Sequence, residues 1–247
     1  MSGSREAEIN RAFVALASRL VDGFDVVDLL GELTERCTGL LDIASAGLLL
    51  ADASGTLHVL AASSERTRLL EIFQLQRAQG PCRDCYLSGA SVSVADLTSM
   101  QERWPDFVPR ARDLGFASVH ALPMRLHDRV LGALGLFGTS IGTLAPDDLA
   151  LGQALADVAS VALVQDMSAR DAGAYNEQLQ AALTNRVVLE QAKGVLAQLG
   201  DIDVADAFTV LRRYARAEGV ALSTVARAVA AREVDARVVL QTAAAAD

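Results

Sequence analysis

Apolar positions along this chain follow two different periods, and each period predicts a different kind of element. Near the start, Ile9, Phe13, Leu16 and Leu20 step by four, three and four, the spacing of one helix face. Asp22-Gly23-Phe24-Asp25 interrupts that stripe, and a second helix carries Leu30, Leu33, Cys37 and Leu40. Short apolar runs then take over. Ala46 to Ala51 and Leu57 to Ala61 flank the turn residues Asp52-Ala53-Ser54-Gly55 and read as a hairpin. Val92 to Ala95 is a brief strand, and Val119 to Leu126 and Val130 to Phe137 form a second hairpin around the polar tip His127-Asp128-Arg129. Pro146-Asp147-Asp148 opens a helix, since proline and acids suit a first turn, and Leu151, Leu155, Val158 and Ala162 form its buried stripe. This order of elements predicts an α+β domain, an antiparallel sheet covered by helices.

The helical period continues through Met167, Ala174, Gln178 and Ala182, broken only by Gly173. It predicts a helical connector, either one strand of a coiled coil or a solvated linker helix. Three amphipathic helices follow. The first buries Val188, Ala192, Val195 and Leu199 and stops at Gly200, a suitable C-terminal cap. Asp203 caps the second, whose stripe is Val204, Ala207, Phe208, Leu211 and Ala215, ended by Gly219. The third carries Leu222, Val225, Ala226 and Val229. Three short helices joined by tight turns form a small bundle. The expected organisation is therefore a sheet domain at 1–165, a connector at 166–180, a three-helix bundle at 181–240 and a tail at 241–247.

Composition sharpens that division. All five prolines precede residue 147, while alanine numbers 18 in the first 149 residues and 26 in the last 98. Proline breaks helix interiors and alanine favours them, so the C-terminal part reads as wholly helical. Charge then narrows the chemistry. The chain carries 22 basic and 31 acidic residues, a net −9, and Lys193 is its single lysine. A Walker phosphate loop needs Gly-Lys-Ser/Thr, but Gly194 follows Lys193, and no strand offers the lysine of a protein kinase.

No apolar run approaches the ~18 residues of a membrane span, and Ser2 to Asn10 is polar, unlike a secretory signal. A cytoplasmic protein with no membrane partner is expected. Three cysteines, Cys37, Cys82 and Cys85, are too few and odd in number for a disulfide framework. Cys82 and Cys85 form one C-x-x-C, which reads as a redox pair, as half a metal site, or as two small residues of a short helix. Only Cys37, His58, His120 and His127 remain to complete a zinc site, so no metal and no cofactor are expected. His120 reads as a core or pocket-wall residue, and Trp104, Phe107 and Phe116 as cover for the sheet or lining of a pocket. No Ser-His-Asp order, paired catalytic carboxylates or phosphate loop stands out, and no enzymatic activity is expected.

The run Arg186-Val187-Val188-Leu189-Glu190-Gln191-Ala192-Lys193-Gly194-Val195-Leu196 resembles the first helix of the ANTAR domain. Ala207-Phe208 with Leu211-Arg212 resembles its second helix, and Leu222 with Val225-Ala226 its third, in one register over residues 180–236. The resemblance implies an RNA-binding transcription antiterminator, whose domains grip hairpins in nascent leader RNA and keep a terminator hairpin from forming. The sheet part, with Gly80-Pro81-Cys82, Val92-Ser93-Val94-Ala95-Asp96-Leu97 and Gly132-Ala133-Leu134-Gly135-Leu136-Phe137, resembles a GAF domain over residues 10–165. It is similar to those fused to ANTAR modules in actinobacterial regulators, and implies a ligand-sensing or dimerising module. The lysine-containing signature of cyclic-nucleotide-binding members is absent.

The expected RNA-binding residues are Arg186, Gln191, Lys193, Arg212, Arg213, Arg216 and Arg227. Arg186, Glu190 and Lys193 are expected on a face turned away from the Val188–Ala192 stripe. Residues 185–237 hold 8 basic and 7 acidic side chains, net +1, against 14 and 24 in the other 194, net −10. So weak a local charge favours a homodimer, in which two domains grip RNA together. A small-molecule ligand in the sheet domain is a further expected partner. The alternative reading is a redox or metal sensor built on Cys82 and Cys85, whose helical C-terminus binds a protein.

Overall fold

The computed structural model describes residues 2–22, 25–52, 54–168 and 174–245. The chain divides into two compact units, Met1–Asp22 with Leu29–Asn176, and Gly23–Asp28 with Glu177–Asp247. Helices α1 (Ser2–Asp22) and α2 (Val26–Leu40, in the first unit from Leu29 on) precede the strands β1 (Ser45–Ala51) and β2 (Leu57–Ala62). Then come α3 (Glu65–Arg77), α4 (Pro81–Ser88), β3 (Val92–Val94), a 3-10 turn at Leu97–Met100 and α5 (Phe107–Asp113). The hairpin β4 (Ser118–Leu126) and β5 (Arg129–Gly138) and the helix α6 (Pro146–Ser168) complete that unit.

The five strands form one antiparallel sheet in the order β2-β1-β5-β4-β3. Both expected hairpins are present, and the tip of the second turns through His127 at φ 52°. Side-chain alternation splits the sheet into two faces. Val119, Ala121, Ala133 and Phe137 join Trp104, Phe107 and Phe116 in a core on the face covered by α3, α4 and α5. Leu122 and Leu136 point the other way, against Gly152 of α6. Trp104, Phe107 and Phe116 are buried and cover the sheet, and Phe116 also lines a cleft with Leu97 and Arg112.

The helix α3 has no counterpart in the hydrophobic pattern. Ser64 starts it by accepting from the Thr67 amide, yet its inward face is Thr67, Leu70, Glu71 and Gln74. Three of those four are polar, so the 3.6-residue apolar period is silent there.

The second unit is wholly helical. The three expected helices are α7 (Ala174–Gly200), α8 (Val204–Glu218) and α9 (Leu222–Ala230), and α10 (Ala236–Ala245) follows. The Asp203 carboxylate accepts from the Ala205 amide as α8 begins, and Gly219 at φ 66° ends it. Asp235 starts α10 by accepting from the Arg237 amide at 2.9 Å, and Val239 is fully buried. Residues 241–245, expected as tail, thus belong to a fourth helix packed on α8. The connector expected at 166–180 divides between the ends of α6 and α7, and residues 169–173, Gly173 included, lie outside the described residues. So do the side chains at 164–183, on which the coiled-coil reading depends.

Candidate functional site

The helical unit is built on a face of α7 different from the expected one. Leu189, Ala192 and Leu196 are buried, whereas Leu199 is 53% exposed and Val188 and Val195 are only half-buried. Two helical stripes share Ala192, and the sequence period fits either. Choosing the true one moves Lys193 from the outer face to the edge of the core.

The Lys193 side chain is 11% exposed, and its Nζ donates to both oxygens of Glu190 at 3.1 Å. The ammonium lies 6.0 Å from the Phe208 ring centroid, and the Arg212 guanidinium 5.5 Å from the same ring. Phe208 is therefore held between α7 and its own helix by two cations, each attracted to the ring's negative face. The largely buried lysine thus directs its charge at Glu190 and the ring. The expectation that Lys193 faces outward with Arg186 is thus corrected: it sits at the junction of two helices. Arg212 lies one turn from Phe208 on α8, a spacing the sequence offers, whereas the Lys193 contact joins two helices and no local period shows it.

The remaining expected residues separate by exposure. Arg186 and Arg212 are half-buried, while Gln191, Arg213, Arg216 and Arg227 are exposed. Arg213 and Arg216 stand one turn apart on α8. Arg227 on α9 donates to Asn185 Oδ1 at 2.9 Å, which ties α9 to the early part of α7. The expected residues open to solvent are thus Arg213 and Arg216 of α8, Arg227 of α9 and the Gln191 amide of α7, an uncharged donor and acceptor.

The sheet unit keeps its unusual chemistry inside. Gly47 and Gly135 face each other across β1 and β5. A Cβ at Gly135 would lie 2.6 Å from Cys82 Sγ and 2.9 Å from Glu71 Oε1, and one at Gly47 would lie 2.8 Å from that same oxygen. The bare backbone makes room for the fully buried Glu71 carboxyl. Gln74 Nε2 donates to Glu71 Oε2, and Cys82 Sγ donates to Oε1 at 3.4 Å. Spacing could have found this cluster, since Thr67, Glu71 and Gln74 share one helical face while offering no apolar signal.

Cys82 and Cys85 are both fully buried on α4. Burial, with the Glu71 charge second, pushes the Cys82 thiol far above the ordinary range, and burial pushes Cys85 up to about 12. A thiol held neutral in this way is a poor nucleophile and a poor metal ligand. The C-x-x-C therefore acts here as core, joined to Glu71. Among the described residues, no three metal-ligating side chains are gathered for an ion. No described helix is long and apolar enough to cross a membrane.

The GAF domain model matches residues 25–164, and the ANTAR domain model matches residues 177–229. No curated protein sequence matches the chain. Among solved structures, the GAF domain of an Acinetobacter phosphoenolpyruvate-protein phosphotransferase superposes with a TM-score of 0.53 at 10% identity, over 70% of this chain and 99% of that one. The GAF domain of the Coxiella burnetii phosphoenolpyruvate-protein phosphotransferase gives 0.51 at 12% identity, over 66% and 96%. Free methionine-R-sulfoxide reductase from Neisseria meningitidis, solved with its substrate, gives 0.50 at 15% identity, over 63% and 87%. At such identities the likeness is one of fold: an antiparallel sheet with helices on it.

Proposed function

The chain belongs to the GAF domain family and carries an ANTAR domain behind the GAF domain, and from that premise we propose that it is a transcription antitermination regulator controlled by its sheet unit. ANTAR is an RNA-binding antitermination domain and GAF is a sensory domain, so both matched parts are regulatory. In this reading the helical unit binds hairpins in nascent leader RNA and prevents the terminator from forming. Arg213, Arg216 and Arg227 contact phosphates, and Gln191 reaches an unpaired loop base. Arg186, Lys193 and Arg212 hold the helices that present them. The protein works in the cytoplasm, without enzymatic activity, as a homodimer. With so few exposed charges per unit, two units on one RNA supply the affinity. A signal at the sheet unit changes how those two units are spaced.

The observation that carries this reading is the ANTAR match over a helical unit whose arginines are exposed on α8 and α9. The sealed, protonated Cys82 and Cys85 weigh against a redox or metal sensor. The test is a mobility-shift titration of the full chain against leader RNA with two hairpins and with one. The reading expects two-hairpin RNA to bind at least tenfold tighter. Absence of binding to either RNA would overturn it.

A further inference from the structure

On the face of the sheet away from the cysteines, a cleft of about 450 Å³ opens between the start of β4, the β5–α6 loop and the α2–β1 turn. Its wall includes His120, Asp148, Ile43, Ile141 and Leu144, with exposed Asp42 at the rim. Among the described residues, no lysine or arginine lines it. His120 is 2% exposed, and its Nε2 accepts from the Leu144 amide at 3.3 Å. The ring proton therefore sits on Nδ1. Burial lowers the His120 pKa, so the ring is neutral, and an interaction with the Gly142 backbone offsets part of that effect. A buried N–H donor thus stands in the wall with no partner among the described residues.

Asp148 supplies the complementary group. Its carboxylate is 11% exposed and accepts from Arg5 of α1, whose own side chain is 47% exposed and also donates to the Leu40 carbonyl at 3.3 Å. This one arginine ties α1 to the first turn of α6 and the end of α2. Asp42 and Asp148 outnumber Arg5 at the cleft and His120 is a neutral donor, which makes the cleft unsuited to an anion. It suits a cation with a hydrogen-bond acceptor and a short apolar group.

We propose that this cleft is the ligand site of the sheet unit and takes a small organic cation, a protonated primary amine with a neighbouring carbonyl. The ammonium replaces Arg5 at Asp148, the carbonyl accepts from His120 Nδ1–H, and the apolar group lies against Ile43, Ile141 and Leu144. Because ligand and Arg5 compete for one carboxylate, binding unties α1 from α6. The inference rests on the sensory reading of this unit and gives its signal a chemical class and a lever.

The probe is leucinamide, titrated into the full chain while the ring signals of His58, His120 and His127 are followed by NMR and the heat by calorimetry. The expected result is a saturable shift of His120 alone. Leucine, which adds a carboxylate, and N-acetyl-leucinamide, which lacks the charge, should bind at least tenfold weaker. Asp148→Asn should abolish saturation. Arg5→Gln removes the competitor from a half-exposed position and should tighten binding about fivefold, the worth of a partly exposed ion pair. A flat response to leucinamide, equal affinity for the three compounds, or weaker binding by Arg5→Gln would overturn the proposal. RNA affinity of the same preparation without amine tests the RNA-binding reading separately.

Discussion

The two units handle polar groups in opposite ways. In the sheet unit Glu71 and Gln74 of α3 and Cys82 of α4 are sealed from water, with the Glu71 carboxyl accepting from both partners. In the helical unit the polar side chains lie at the rim, with Lys193 and Arg212 about Phe208 and with Arg213, Arg216 and Arg227 outside. A buried polar cluster fixes one arrangement of a core, because each member left unpartnered would cost stability. A rim of exposed cations instead can be reached by a partner from outside. The contrast separates a unit whose charges specify shape from one whose charges specify contact.

The largest expected effect comes from breaking the sealed side. Phe116 is 1% exposed and lies 5.2 Å, centroid to centroid, from Phe137. Phe116→Ala should cost about 3–5 kcal/mol in the sheet unit. Trp104, the only tryptophan, reports on that unit alone, so the loss is read from the midpoint of its fluorescence in denaturant. A midpoint unchanged would mean that this face is not a packed core.

Alkaline pH should weaken the same side. Burial raises Cys37 and Cys85 from the ordinary thiol value of 9.0 to about 12 each. Between those values the unfolded chain loses thiol protons that the folded one keeps, so stability falls as pH rises from about 9 to about 12. Each thiol contributes a slope of about 1.4 kcal/mol per pH unit. Cys85→Ala should flatten the Trp104-monitored stability profile by that amount. An identical slope in the variant would show that Cys85 ionises freely in the fold.

The legibility of these two sides in the sequence differed for the same reason. Strands and amphipathic helices with apolar inward faces, such as β4, β5, α8 and α9, could be read from period alone. The helix α3 could not, because Glu71 and Gln74 take positions where the pattern needs leucine. The sequence alone puts Lys193 on the wrong face, since the Val188 and Leu189 stripes fit the helical period equally well. Only the packing of α7 on its neighbours chooses between them. The Arg5–Asp148 pair and the cleft beside it join residues 143 positions apart, which no local pattern encodes.

At the rim a smaller effect separates packing from contact. Lys193→Met keeps the apolar stem but loses the Glu190 pair and the attraction to Phe208. It should cost the helical unit about 1 kcal/mol, read by thermal unfolding followed by circular dichroism. A variant more stable than the parent would mean that the ammonium is strained at this junction.

The most direct test of the account is the salt dependence of RNA binding by the full chain. Affinity for the two-hairpin RNA is measured from about 50 to 200 mM salt, for the parent, for Lys193→Met and for the triple variant Arg213→Ala, Arg216→Ala, Arg227→Ala. Each lost phosphate contact on single-stranded RNA should reduce the steepness of log affinity against log salt by about 0.7. The account predicts a reduction of about 4 for the triple variant, three contacts in each of two units, and no change for Lys193→Met, even where its affinity falls. A reduced slope for Lys193→Met, with an unchanged slope for the triple variant, would contradict it.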